Sequence, residues 1–125
     1  MTATRRRVTS GSRFEAPYGY SRAVVVDDAC FVAGTTDPSM DHPGDAAAQA
    51  RAALTIIERA LVDAGFALTD VVRTRMYVVD PADADTVARV HGEVFRDIRP
   101  ASTLVVVRGL IEPQMLVEIE AEARR

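Results

Sequence analysis

Val71-Val72-Arg73-Thr74-Arg75-Met76-Tyr77-Val78-Val79, followed at once by Asp80-Pro81, is the stretch that decides the fold. Its first nine residues are rich in β-branched and aromatic side chains, which suit a strand. Asp80 is a good helix N-cap and Pro81 fits a first helical turn, so a helix is predicted to start where the strand stops. The apolar face of that helix would be Val87, Val90 or His91, Val94 and Ile98, and Pro100 ends it. Toward the C-terminus, Leu104–Val107 reads as a strong strand. Met115–Ala121 alternates Val117 and Ile119 with Glu118 and Glu120, the period of a half-buried strand. Toward the N-terminus, a helix is predicted from near Asp45 to Gly65. Ala50, Ala53, Leu54, Ile57 and Leu61 lie on one face of it, and Gln49, Arg51, Glu58 and Arg59 elsewhere. Gly34–Gly44, with Pro38 and Pro43, is a loop. Ala23-Val24-Val25-Val26 and Ala29–Ala33, split by Asp27-Asp28, read as a hairpin. The order predicts an α+β sandwich in one domain over 1–125: a mixed β-sheet with two helices on one face, preceded by an N-terminal arm, 1–13, that includes the first strand.

Two helices cover only one face of a sheet. Val24–Val26 and Leu104–Val107 are nevertheless apolar at consecutive positions, so both faces of those strands call for burial. With 125 residues there is no second covering layer, and the open face is predicted to pack on another copy of the chain. The composition, 48% hydrophobic and 26% charged, excludes disordered and collagen-like classes. All 15 basic residues are arginine, against 18 acids, and the net charge of −3 argues against a nucleic-acid partner. Cys30 is the only cysteine, which excludes an internal disulfide and a thiolate metal cage and fits a reducing compartment. Arg5-Arg6-Arg7 is followed by Val8-Thr9-Ser10-Gly11-Ser12 rather than an apolar run, so it reads as a solvated arm and not a signal peptide. A cytoplasmic protein with no membrane partner is the expectation.

Most site templates are absent: no phosphate-binding glycine loop, no H-E-x-x-H, no nucleophile elbow. His42 in a loop and His91 on a helix make a poor zinc pair, so neither a metal nor a cofactor is expected. What remains is polar residues at the edges of apolar strands. Glu118 shares a strand face with Glu120 and Glu122, and Arg73 and Arg75 share one with Tyr77. An arginine within a sheet needs water or an acid, so an Arg75–Glu118 pair is one arrangement to expect. Tyr18, in Ala16-Pro17-Tyr18-Gly19-Tyr20, sits in a rigid turn before the first strong strand.

Pro17-Tyr18, Val32-Ala33-Gly34, Ala48-Gln49-Ala50-Arg51, Asp70-Val71-Val72-Arg73-Thr74, Arg99-Pro100-Ala101 and Val117-Glu118-Ile119-Glu120-Ala121 stand in one order over about residues 14 to 123. Together they resemble the RidA/YjgF family, which also carries an endoribonuclease label. The resemblance implies a chorismate-mutase-like subunit in a homotrimer whose sheets form a central barrel with three intersubunit clefts. It implies hydrolysis of reactive imines or enamines such as 2-aminoacrylate to keto acids and ammonia. Glu118 matches the family's water-orienting glutamate, Gly34 the glycine lining the cleft and Tyr18 the cleft tyrosine. The family arginine that clamps the substrate carboxylate follows the Pro-Ala pair, and here Pro100-Ala101 is followed by Ser102-Thr103. Losing such a buried ionic hydrogen bond costs about 2–5 kcal/mol. Ala88 and His91 also replace a usual asparagine and aromatic.

Two functional classes stay open. One is a deaminase-type hydrolase with a shifted substrate, with Glu118 and His91 catalytic and Tyr18, Gly34, Arg75, Ser102 and Thr103 contacting substrate. The other is a non-catalytic trimer that binds a metabolite or acts as a chaperone-like or regulatory partner. In either case the partners expected are a small molecule and further copies of the chain. Glu118 and His91 are expected to face one intersubunit cleft, with Arg75 close enough to depress the Glu118 pKa and His91 as the proton donor.

Overall fold

A computed structural model describes residues 4–125. Six strands form one sheet: β1 (Arg5–Val8), β2 (Ala23–Val26), β3 (Ala29–Thr35), β4 (Val71–Val78), β5 (Ala101–Val106) and β6 (Val117–Arg124). Three helices accompany them: α1 (Glu15–Tyr18), α2 (Ala46–Asp63) and α3 (Ala84–Phe95). The spatial order is β1-β2-β3-β6-β4-β5. Every neighbouring pair is antiparallel except β4 and β5, which run parallel because α3 carries the chain back between them. The Asp80-Pro81 junction works as predicted: the Asp80 side chain accepts a hydrogen bond from Ala82 N, and a 3-10 turn at Pro81–Asp83 leads into α3. The α+β class and the mixed sheet expected from sequence are therefore observed.

The core lies between one sheet face and the two long helices. Ala50, Ala53, Leu54, Ile57 and Leu61 of α2 are buried there, with Val87, Val90 and Phe95 of α3. They meet Val117, Ile119, Ala121 and Ala123 of β6, and Met76 and Val78 of β4. Gln49 departs from the predicted helix pattern and is buried. Its Nε2 donates to the carbonyls of His42 (3.0 Å) and Gln114 (3.2 Å), and its Oε1 accepts from Leu116 N (2.9 Å). The residue is inside because it ties α2 to the segment entering β6; its polar atoms are satisfied, so burial costs little. The triple arginine is also more than an arm. It forms the edge strand β1, paired with β2, and Arg6 caps the C-terminus of α2 through the carbonyls of Ala64 (2.6 Å) and Asp63 (3.3 Å).

On the opposite sheet face stand Glu118, Glu120 and Glu122 of β6, Arg73, Arg75 and Tyr77 of β4, and Phe31 of β3, with no helix of the described residues over them. β5 at the sheet edge has no fully buried residue, and Val105 and Val106 are 41% and 49% exposed. The exposed valines of β5 and Phe31 give part of the uncovered apolar surface that the strand composition predicted, but over β4 and β6 the open face is charged rather than apolar. No helix among the described residues is long and apolar enough to cross a membrane.

Candidate functional site

The β3–β6 pairing slips between Val32 and Thr35, a bulge that sets Gly34 against Glu118. A Cβ built at Gly34 would stand 2.9 Å from Glu118 Cδ and 3.0 and 3.2 Å from its two oxygens. The carboxyl of Glu118 thus fills the space a side chain at 34 would occupy. Behind the glycine lies Arg22, 8% exposed, whose Nη2 donates to the Gly34 carbonyl at 2.6 Å. Arg22 stands just ahead of β2, where its own carbonyl accepts from Ala33 N at 3.0 Å. Its Nε has no hydrogen-bond partner among the described residues. Glu15 of α1 is buried on the same side, held by Ser10 N (3.2 Å) and the Ser10 hydroxyl. Burial alone would raise the Glu15 pKa, but its hydrogen bonds from Ser10 and Ser12 and the charge of Arg22 bring it below the ordinary value.

Glu118 behaves in the opposite way. Burial, reinforced by repulsion from Glu120, pushes its pKa up, and Arg22 only partly opposes this. That corrects two expectations. Arg75 does not pair with Glu118: its Nη1 reaches Glu122 Oε1 at 3.2 Å and Glu120 Oε2 at 3.6 Å. The register explains why, since Arg75 lies opposite Glu120 whereas Glu118 lies opposite Tyr77. The Tyr77 hydroxyl in turn donates to Glu120. The guanidinium that acts on Glu118 is that of Arg22, and the Glu118 pKa is raised rather than depressed.

Tyr18 ends α1, the helix that carries Glu15, and is 62% exposed, with its ring stacked on Phe14 at 5.5 Å between centroids. Ser102 and Thr103 lie on β5, Ser102 opposite Thr74 and Thr103 opposite Arg75. Fully buried Thr74 donates its hydroxyl proton to Ser102 Oγ at 2.8 Å, and its oxygen lies 2.8 Å from His91 Nε2. With the Thr74 proton given to Ser102, the His91 Nε2–H completes the chain as donor. His91 stacks on Phe95 at 4.6 Å, and burial lowers its pKa. A neutral imidazole at neutral pH is a poor proton donor, so the donor role expected of His91 is not supported.

Within one chain the structure brings Glu118 to Gly34 and Arg22, and His91 to Thr74 and Ser102. It does not bring the two groups together. Thr74 is in register with Ala121 on the helix-covered face, whereas Glu118 points from the opposite face. A cleft holding Glu118 and His91 would require two chains.

Sequence reasoning missed Arg22, Glu15 and a third cluster. In the loop after β3, His42 Nδ1 lies 2.7 Å from Asp37 Oδ2, while Asp37 Oδ1 accepts from Ser39 N (3.0 Å) and Ser39 Oγ (2.7 Å). The Asp37 hydrogen bond raises the His42 pKa, more than burial lowers it, and the charges of Asp37, Asp41 and Asp45 add to the rise. Among the described residues no three His, Cys, Asp or Glu side chains converge as a metal site.

Residues 10–125 match the family model described as Endoribonuclease L-PSP. The chain is 40% identical over 123 residues to an uncharacterised protein of Streptomyces coelicolor, covering 96% of this chain and 92% of that protein. It is 38% identical over 108 residues to the 3-aminoacrylate deaminase RutC of Acinetobacter baylyi, covering 83% and 85%. A crystal structure of a Mycobacterium tuberculosis member of the YjgF/YER057c/UK114 family superposes with a TM-score of 0.90 at 49% identity, over 98% of this chain and 100% of that one.

Proposed function

The chain belongs to the Endoribonuclease L-PSP family, the RidA/YjgF proteins, and from that premise we propose that it hydrolyses a small enamine or imine acid to a carbonyl acid and ammonia. The observation that carries the reading is the Glu118 carboxyl, half-buried against Gly34 with its pKa raised by burial and by Glu120. A carboxyl poised closer to neutral pH serves both as proton acceptor and as donor. In the proposed reaction a water oxygen bonds to the imine carbon while Glu118 takes one of its protons. Glu118 hands that proton to the nitrogen, giving the neutral carbinolamine, and then carries the carbinolamine hydroxyl proton to the same nitrogen, so that ammonia leaves as the C–N bond breaks and the carbonyl forms. Arg22 keeps the Glu118 carboxylate tolerable between these steps without holding it permanently ionised.

The same reading makes the protein a homotrimer with clefts between subunits. It draws support from the uncovered sheet face and the apolar edge of β5, and from the opposite facings of Glu118 and His91. Tyr18 and Gly34 would line the Glu118 side of a cleft, and Ser102 and His91 the side given by a neighbouring copy, while Thr103, in register with Arg75, faces the open sheet surface at the β5 edge. One observation favours a second reading, a metabolite-binding trimer without turnover: Ser102 is a neutral group already hydrogen-bonded to Thr74.

Ammonia release from freshly generated 3-aminoacrylate and 2-aminoacrylate tests the proposal. Turnover in the wild type and its loss in Glu118→Gln are expected. No release from either compound would leave the binding reading. Light scattering should give about three times 13.5 kDa, and a monomer mass at micromolar concentration would end the cleft model.

A further inference from the structure

The turn that follows α3 presents a positively charged groove beside His91. Its charged lining is Arg89, Arg96 and Arg99 against one acid, Glu93, with His91, Gly92, Phe95 and Pro100 completing the wall. We infer that Arg96 and Arg99 form an anion subsite in this groove and hold a carboxylate of the small molecule on which the protein acts. The inference deepens the deaminase reading: it rests on that reading for which anion binds, but the site is argued from the groove itself.

The charges in and around the groove are unevenly satisfied. Arg89 at its rim is paired with Asp85 at 2.7 Å, and Glu93 is held by Arg51 through contacts of 3.0 and 3.2 Å. Among the described residues Arg96 and Arg99 make no ion pair within 4.0 Å, although the charge of Arg96 is near enough to help lower the pKa of Glu93, whose direct partner is Arg51. Two guanidiniums three residues apart on a tight turn repel each other, and an anion between them removes that repulsion.

The backbone points the same way. Ile98 N and Arg99 N both donate to the Phe95 carbonyl, at 3.0 and 2.8 Å, which closes the turn on the end of α3. Arg99 adopts a φ of +54°, in the left-handed region where glycine or asparagine is the comfortable residue. An arginine held in that conformation is a local sacrifice of stability, of the sort that marks functional positions. Arg99 Nε donates to the Arg96 carbonyl at 3.1 Å, fixing the orientation of the guanidinium while leaving its terminal nitrogens available. That pre-set fork suits bidentate recognition of a carboxylate. Phe95 and Pro100 supply an apolar floor for a short carbon chain. Ser102 and Thr74 connect the groove, through His91, to the edge of β5.

Calorimetric titration with 2-oxobutanoate, a stable keto acid, tests the subsite directly. The key variant is Arg96→Gln/Arg99→Gly, in which glycine accepts the φ of position 99 without strain, so folding is preserved or improved. The wild type should bind 2-oxobutanoate, the double variant at least tenfold more weakly, and the His91 ring proton signals should shift on binding only in the wild type. Unchanged affinity in the double variant overturns the inference. So does binding of inorganic phosphate in place of 2-oxobutanoate, or of a ten-nucleotide RNA with loss in the same variant. If no enamine is hydrolysed and 2-oxobutanoate binding is still lost in the double variant, the deaminase reading fails and the subsite stands. If turnover depends on Glu118 and the double variant keeps the wild-type KM, the subsite fails and the deaminase reading stands.

Discussion

Replacing Gly34 by alanine places one methyl group against the carboxyl of Glu118. The added carbon would stand 2.9 Å from Glu118 Cδ, whereas relaxed carbon–carbon contacts begin at about 3.5 Å, leaving an overlap of roughly 0.6 Å. The backbone at 34 is not in the left-handed region, so alanine adds no backbone strain and reduces the freedom of the unfolded chain, a gain of about 0.4–1 kcal/mol. The atoms that must give way are the far end of a flexible side chain, so Glu118 moves and the sheet does not. A catalytic group displaced by most of an ångström typically costs on the order of 100-fold in rate, or about 2.7 kcal/mol of transition-state stabilisation. Gly34→Ala is therefore expected to lower kcat/KM for enamine hydrolysis about 100-fold while the thermal midpoint stays within a few degrees of wild type. Initial rates of ammonia release and a thermal melt, run on the same preparation, check both halves. Full activity in the variant would refute the placement of Glu118 as the reacting carboxyl; a collapse of the melting temperature would refute the claim that the side chain, rather than the strand, yields.

Three further outcomes follow from the same geometry. The raised pKa of Glu118 means that the fold favours its protonated form: that stabilisation is complete below the unfolded pKa and is lost as pH rises through the folded value. Glu118→Gln should thus melt higher than wild type at pH 7 and show no gain at acid pH, and an equal or lower melting point at pH 7 would contradict the burial argument. Arg22→Gln removes the charge beside Glu15 and Glu118 and the donor to Gly34, and should cost about 2 kcal/mol or more in urea unfolding; an unchanged midpoint would show that the buried guanidinium contributes nothing net. The two histidines should titrate on opposite sides of the ordinary value in a proton NMR series, His42 above it through its bond to Asp37 and His91 below it through burial. The His42 contribution is full below the unfolded pKa and fades as pH rises through its folded value, and Asp37→Asn should lower the His42 pKa toward the ordinary value, the charges of Asp41 and Asp45 remaining; coincident titrations of the two histidines would be inconsistent with the structure.

The elements legible in the sequence were those set by a single periodicity. The alternation at 117–121 placed Glu118 away from the core, and the helical spacing from Ala50 to Leu61 picked out the buried face of α2. Gln49 was misread because periodicity treats an amide as a surface residue, whereas here it satisfies three backbone groups that meet only in the folded chain. Arg22 and Glu15 were missed for a related reason. Each precedes or follows an apolar run without belonging to it, and their burial arises from a bulge in β3 and a four-residue helix that no local pattern announces. Arg75 and Glu118 were placed on one face correctly but paired wrongly. Strand facing is local information, whereas register belongs to two strands 40 residues apart, and a shift of two positions exchanges Glu118 for Glu120.

The two polar groups also explain one another's incompleteness. On one sheet face Glu118 has an elevated pKa, a glycine that leaves room at its side and a buried arginine behind it, while Arg75 on that face is already paired with Glu120 and Glu122. Across the sheet, His91, Ser102 and the arginines of the α3 turn offer charge and hydrogen bonds but no carboxyl suited to activating water. Neither group can reach the other through a layer of β-sheet whose interior positions are filled by Ile119, Ala121 and Thr74. A second copy that lays its β5 edge beside the open face of the first would join a water-activating half to an anion-holding half, and would cover Val105 and Val106 in the same movement. Burial of apolar surface and assembly of the site then depend on one contact. A substitution that adds a charge at Val105 should accordingly weaken association and turnover together, while leaving the fold of the single chain intact.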